Sequence, residues 1–108
     1  MTATEIEPET QLEQPDVSDI ELTDVLHALS DPVRLQLVRD LYRCGDERPC
    51  GSFDLPVAKS TMTHHWRVLR EAGLVSARTD GTRKLHGLRV AELEDRFPGL
   101  LASVTSEG

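Results

Sequence analysis

The stretch Lys59-Ser60-Thr61-Met62-Thr63-His64-His65-Trp66-Arg67-Val68-Leu69-Arg70-Glu71-Ala72-Gly73-Leu74-Val75 decides how this chain reads. Met62, Trp66 and Leu69 stand at i, i+4 and i+7, the spacing of one buried stripe on an α-helix. His65 falls on the same arc. Ser60, Thr63, His64, Arg67, Arg70 and Glu71 occupy the other side. Gly73 ends the helix, because glycine tolerates the left-handed conformation that closes a helix C-terminus. The spacing predicts a helix over 60–72 with one apolar face and one face of short polar groups and arginine. A helix that enters the DNA major groove must bury one stripe and present such side chains along the other.

A hairpin signature follows. Leu74 to Thr79 reads as a strand, Asp80-Gly81 as its turn pair and Thr82 to Leu88 as the return strand. Arg78, Arg83, Lys84 and Arg89 sit on or beside this ribbon. In a two-residue hairpin Val75 and Leu85 cannot both point inward, since side chains alternate between faces. On the N-terminal side, Asp31-Pro32 starts a second helix that runs to about Arg43. Aspartate caps the free N–H groups, and proline fits the first helical position because its missing donor would be unpaired there. Leu37, Val38, Leu41 and Cys44 share its apolar face, and Gly45 stops it. Ahead of it, Ser18 and Glu21 have capping-box spacing. Leu22, Val25, Leu26 and Leu29 then recur at helical spacing up to Ser30. Between the second helix and the polar-faced one, Gly45, Pro49, Gly51 and Pro56 leave room for one short turn around Ser52 to Leu55. Phe53 and Leu55 are its expected core anchors. A last helix covers Val90 to Phe97. Pro98-Gly99 interrupts it, and Leu100, Leu101 and Val104 continue an apolar face.

Charge is layered along the chain. The formal net charge of the 108 residues is −7, which alone speaks against a nucleic-acid partner. Residues 1–31 carry nine acids and no Lys or Arg, and residues 32–58 are balanced at four and four. Residues 59–89 hold seven Lys or Arg against Glu71 and Asp80. Residues 90–108 hold four acids and one Arg. The basic centre therefore coincides with the polar-faced helix and the hairpin. Residues 1–17 are acidic, without periodicity, and poor in apolar side chains. They read as a disordered tail ahead of a single domain over 18–104. No apolar run is long enough to cross a bilayer, and the acidic start is not a secretory signal. Two cysteines do not make a disulfide framework, so the expected setting is the cytoplasm with reduced thiols.

The order is helix, helix, short turn, polar-faced helix, basic hairpin, helix. The expected fold class is mainly α with a small β-hairpin, a winged helix-turn-helix. Leu29-Ser30-Asp31-Pro32-Val33-Arg34-Leu35, the Lys59–Val75 stretch and Arg78 through Gly81 together resemble the ArsR/SmtB type of bacterial transcriptional regulator. The resemblance covers about residues 20–97. It implies a homodimer built mainly from the first and last helices, operator double-stranded DNA as partner, and repression relieved by an effector, often a metal ion. By position, Ser60, Thr61, Thr63, His64 and Arg67 match the DNA-facing part of the recognition helix. Arg78, Arg83 and Lys84 match the wing. Lys59 and Arg70 flank the same face and complete the expected DNA-binding set. Two departures stand out. The segment before the recognition helix is short and holds Pro56, so the first helix of the helix-turn-helix is expected to be truncated. The family's metal motifs are also missing: Cys50 is followed by Gly51-Ser52, and the last helix holds no histidine.

The remaining reactive side chains have bland readings beside sharp ones. Adjacent helical residues point about 100° apart, so His64 and His65 cannot face one ion together. His64 reads as a donor on the DNA face and His65 as a hydrogen-bonded, half-buried ring. Trp66 reads as core packing rather than a base-stacking platform. Cys44 reads as a small core residue. Its alternatives are a redox pair with Cys50, or a transition-metal site for an ion such as nickel or zinc, shared with Cys50 and with His27 or His86. No nucleophile or acid–base constellation suggests an enzyme. The apolar stripes of the acidic first and last helices exceed what so small a monomer can cover, which favours a dimer seam. The expected function is thus a dimeric repressor that reads operator DNA with helix 60–72 and lays wing 74–88 on the backbone or minor groove. The effector would be a metal or small molecule. The alternative is a winged-helix module that docks on a protein instead of DNA.

Overall fold

The computed structural model describes residues 14–44, 48–49 and 57–106. A 3₁₀ turn over Val17–Asp19 leads into α1 (Leu22–Leu29) and α2 (Pro32–Cys44). Strand β1 (Arg48–Pro49) precedes α3 (Lys59–Ala72), which is followed by β2 (Val75–Asp80) and β3 (Arg83–Leu88). Helices α4 (Val90–Arg96) and α5 (Leu100–Thr105) end the domain. The sheet is antiparallel in the order β1-β3-β2. This is the mainly helical architecture with a basic hairpin expected of a winged helix-turn-helix. The expected turn around Ser52 to Leu55, its anchors Phe53 and Leu55, the stop at Gly45 and the thiol of Cys50 lie outside the described residues.

Helix α2 starts as its sequence dictates. Asp31 Oδ1 accepts from the N–H of Val33 at 2.8 Å and of Arg34 at 3.2 Å, while Pro32 takes the first helical position. Burial pushes the Asp31 carboxyl up. Those two backbone N–H groups, with the nearby Arg34 charge, outweigh it and hold the pKa below the usual value. Leu37, Val38 and Leu41 are buried as expected, but Cys44 is not. The last three residues of the helix, Tyr42, Arg43 and Cys44, are all exposed, so the helix outlasts the core beneath it and Cys44 is a surface thiol.

Helix α1 begins later than the Ser18–Glu21 pair suggests. Ser18 lies inside the 3₁₀ turn, and the residue before Leu22 is Glu21, with no side-chain cap. Ile20 explains the difference. It is fully buried, and its carbonyl accepts from Arg96 Nε at 2.8 Å. Folding an isoleucine into the core favours an extended entry over one more helical turn. Gln14 to Val17, assigned to the tail by composition, lie against the domain. Arg89 Nη1 donates to the Pro15 carbonyl at 2.7 Å while Nε and Nη2 hold both carboxylate oxygens of Glu92.

Helix α3 closes at Gly73, whose φ of +92° is the left-handed conformation that a side chain resists. Leu74 N–H reaches back to the Leu69 carbonyl at 3.0 Å, which is the pairing of a Schellman cap. A Cβ at Gly73 would also lie 2.6 Å from Ile20 Cγ1. Backbone conformation and close packing thus both demand glycine here. Met62, Trp66, Leu69 and Ala72 face inward with His65. They join Val25, Ala28 and Leu29 of α1, the α2 residues, Leu74 and Val75 in one core with Leu93 and Leu101.

The hairpin loop is Gly81-Thr82, one position later than Asp80-Gly81, because Asp80 pairs with Arg83. Gly81 has a φ of +67°, and among the described residues no non-glycine has positive φ. Positive φ at the first loop position alone is the pattern of a type II′ turn, which places glycine there and leaves Asp80 in the strand. Val75, Ala77, His86 and Leu88 share one face. Leu85 lies on the other, opposite Arg78 on β2 and Pro49 on β1. Val75 and Leu85 are both buried, on opposite faces.

Candidate nucleic-acid interface

Two anchors fix α3 from within. The first joins it to α2. Arg34 is only 7% exposed, and its Nε donates to the Ala28 carbonyl at 2.7 Å. Its Nη1 lies 3.1 Å from His65 Nδ1. Arginine has only donors, so Nδ1 accepts and the ring proton sits on Nε2. Burial pushes the His65 pKa down. Asp31 opposes this, while Arg34 and His64 push it further down, and the net shift is downward. A neutral His65 is the form that can accept from Arg34. Sequence reasoning expected a hydrogen-bonded histidine here but did not single out Arg34. A signal existed, since Arg34, Leu37, Val38 and Leu41 repeat at i, i+3, i+4 and i+7.

The second anchor joins α3 to the wing. Trp66 and His86 stack with ring centroids 3.9 Å apart and planes 12° from parallel. His86 is fully buried, and neither ring nitrogen has a hydrogen-bond partner among the described residues. Burial first, then the Lys84 and Arg70 cations, lowers its pKa to about 4. The ring is therefore neutral at physiological pH. An unpaired buried polar group costs about 1–3 kcal/mol, so its retention at this position needs a reason.

With its inner face held, α3 exposes Lys59, Ser60, Thr61, Thr63, His64 and Arg67, and partly exposes Arg70. Thr63 Oγ1 donates to the Lys59 carbonyl at 3.1 Å, which leaves its oxygen as an acceptor toward solvent. A cleft of about 90 Å³ lies where the helix meets the wing. It is lined by Thr63, Trp66, Arg67, Arg70, Lys84 and His86. The structure thus brings four members of the expected DNA-binding set, Thr63, Arg67, Arg70 and Lys84, to one seam. Lys59, Ser60, Thr61 and His64 occupy the exposed part of the same helix. Arg78 does not join the seam: it is half-buried and opposite Leu85, on the face of the sheet away from Lys84. Arg83 pairs with Asp80 at the base of the loop.

Among the described residues, the metal candidates Cys44, His27 and His86 form no cluster with ligand geometry. Cys44 is exposed at the end of α2, and His86 is buried beneath Trp66. His27 lies on α1, in a cavity of about 320 Å³ lined by Asp24, Val68, Glu71 and Ala72. Among the described residues, no group of three or more His, Cys, Asp or Glu side chains is placed to hold a metal ion. Also among the described residues, no helix is long and apolar enough to cross a membrane.

Comparison with known proteins agrees with this geometry. Residues 29–77, which span α2 and α3 and enter the wing, match the family described as Helix-turn-helix domain. The HTH-type transcriptional regulator YceK of Bacillus subtilis is 37% identical over 82 residues, covering 74% of this chain and 82% of the relative. An arsenical resistance operon repressor of Staphylococcus aureus is 34% identical over 81 residues, covering 74% and 77%. The chain belongs to the ArsR type of helix-turn-helix transcriptional regulators.

Proposed function

We propose that this regulator is a homodimeric repressor that binds operator DNA through the exposed face of α3 and the wing. The observation that carries this reading is the convergence of Thr63, Arg67 and Arg70 with Lys84 at one seam that holds no acid among the described residues. Thr63, His64 and Arg67 read base edges in the major groove. Lys59, Ser60, Thr61, Arg70, Arg83 and Lys84 contact the phosphate backbone, and Arg78 supports the wing from its far face. Repression places the protein in the cytoplasm with the DNA.

Dimerisation rests on a separate observation. Leu22 and Leu26, one turn apart on α1, are 44% and 48% exposed, and Val90 at the start of α4 is 40% exposed. Single exposed leucines are ordinary, but an i, i+4 pair on one amphipathic helix marks a stripe that a second copy covers. The first helix and the last two then form the seam, and two recognition helices meet one palindromic site.

Footprinting and gel-shift binding on the region upstream of the protein's own gene test the reading. Arg67→Ala is expected to cost about 1–3 kcal/mol of operator affinity if it contacts a guanine edge. No protected site, with duplex affinity unchanged in Arg67→Ala, would overturn it.

A further inference from the structure

We propose that the seam between α3 and the wing is a binding site for a single phosphate-type oxyanion. Fully buried His86 forms its floor, and Arg67, Arg70 and Lys84 surround it. The site deepens the DNA-binding reading and rests on it only where the anion is a backbone phosphate.

Size comes first. The cleft of about 90 Å³ holds several water-sized probes but falls well short of the roughly 300–1,000 Å³ of a drug-sized ligand pocket. A nucleobase cannot intercalate, because Trp66 and His86 are already stacked at 3.9 Å. Chemistry comes next. Among the described residues that line it, Arg67, Arg70 and Lys84 are cationic and none is acidic, which repels a metal ion and attracts an anion. The cations come from two elements, Arg67 and Arg70 from α3 and Lys84 from β3, so their donors approach from different directions. That arrangement suits an anion with several acceptor oxygens. Thr63 has already spent its hydroxyl proton on the Lys59 carbonyl and adds no donor.

His86 supplies the independent observation. It lines the cleft, is 0% exposed, and has no hydrogen-bond partner on either nitrogen among the described residues. A neutral imidazole carries one N–H in either tautomer. An oxyanion drawn in among Arg67, Arg70 and Lys84 at the edge of the ring would accept that N–H.

The test is a titration of the full-length, DNA-free protein with potassium phosphate, against potassium chloride at equal ionic strength. Trp66, the one tryptophan of the chain, reports by fluorescence. Phosphate is expected to give a saturable change and chloride none. Lys84→Gln, at an exposed position, is expected to weaken the phosphate response by about tenfold, as loss of one charge-assisted hydrogen bond does. Its circular dichroism should be unchanged. His86→Phe keeps a ring against Trp66 but removes the N–H, and it should weaken phosphate without lowering the melting temperature. Equal responses to phosphate and chloride overturn the proposal, as does a Lys84→Gln protein that titrates like wild type. Adding duplex separates the two sources. Phosphate that competes with duplex beyond the ionic-strength effect assigns the site to a backbone phosphate. Phosphate that saturates Trp66 without displacing duplex assigns it to a free anion. If no duplex binds at all, the DNA reading fails while the phosphate titration still decides the site.

Discussion

His65 and His86 anchor the same recognition helix from two sides, and they solve the same problem differently. Both are buried, and both have pKa values lowered chiefly by burial. His65 accepts from Arg34, which in turn holds the Ala28 carbonyl at the end of α1. Among the described residues, His86 has only the face of Trp66. On the α2 side Arg34 bridges the Ala28 carbonyl and His65 Nδ1, and that link holds the frame. The wing side leaves a polar group unpaired beneath a ring of cations, and that is where the molecule faces outward. A satisfied polar core fixes position, while an unsatisfied one at a cationic seam marks the place where something binds.

The largest expected effect is on the wing side. Trp66→Ala removes the wall that buries His86 and should cost about 3–5 kcal/mol in urea unfolding. If the protein stays folded, the His86 pKa should rise toward 6.5. A loss below 1 kcal/mol would mean that the stack does not hold the wing.

Acid comes next. His86 binds its proton at about 4 in the folded state and near 6.5 in the unfolded chain. Between those values the unfolded state binds more protons, so stability falls as pH drops through the window and levels off below it. His86 alone accounts for roughly 3 kcal/mol of this loss, and His65 acts in the same direction. Urea unfolding at neutral pH and near pH 4 measures it, and His86→Phe should remove the larger share. Equal sensitivity in wild type and His86→Phe would deny that His86 is buried neutral.

Arg34→Met is expected to have the smallest effect. It leaves the Ala28 carbonyl and His65 Nδ1 unpaired, at about 1.5–3 kcal/mol. Its sharper signature is spectroscopic. Removing the Arg34 charge lifts one of the forces lowering the His65 pKa, while His86 should stay near its wild-type value. Parallel shifts of both rings would erase the contrast between the two sides.

Much of this was legible wherever a local signal and the tertiary packing agree. Asp31-Pro32, Gly73 and Pro98-Gly99 mark helix ends by backbone chemistry, and the structure ends its helices there. The Met62–Leu69 stripe is a strong helical period, so both faces of α3 were readable. The hairpin loop is displaced by one position, but such a shift changes cross-strand partners by two residues and leaves every side chain on its face. Other features depend on distant contacts. Ser18 loses its capping role because Ile20 is drawn into the core beside Gly73. Strand β1 is two residues long and contains proline, so it has no pattern of its own and exists through pairing with β3. Cys44 continues an apolar period past the end of the core that would have covered it. The importance of His86 emerges only when the sheet places it against Trp66.

The most direct test is the salt dependence of affinity for a duplex from the protein's own upstream region, measured for wild type and Lys84→Gln. If the seam of α3 and the wing is the DNA surface, log affinity falls linearly and steeply with log salt. The magnitude of the slope then drops by about 1 per subunit in the variant, for one lost phosphate contact. A slope near zero in wild type, or an identical slope in the variant, would contradict the placement of DNA on this seam.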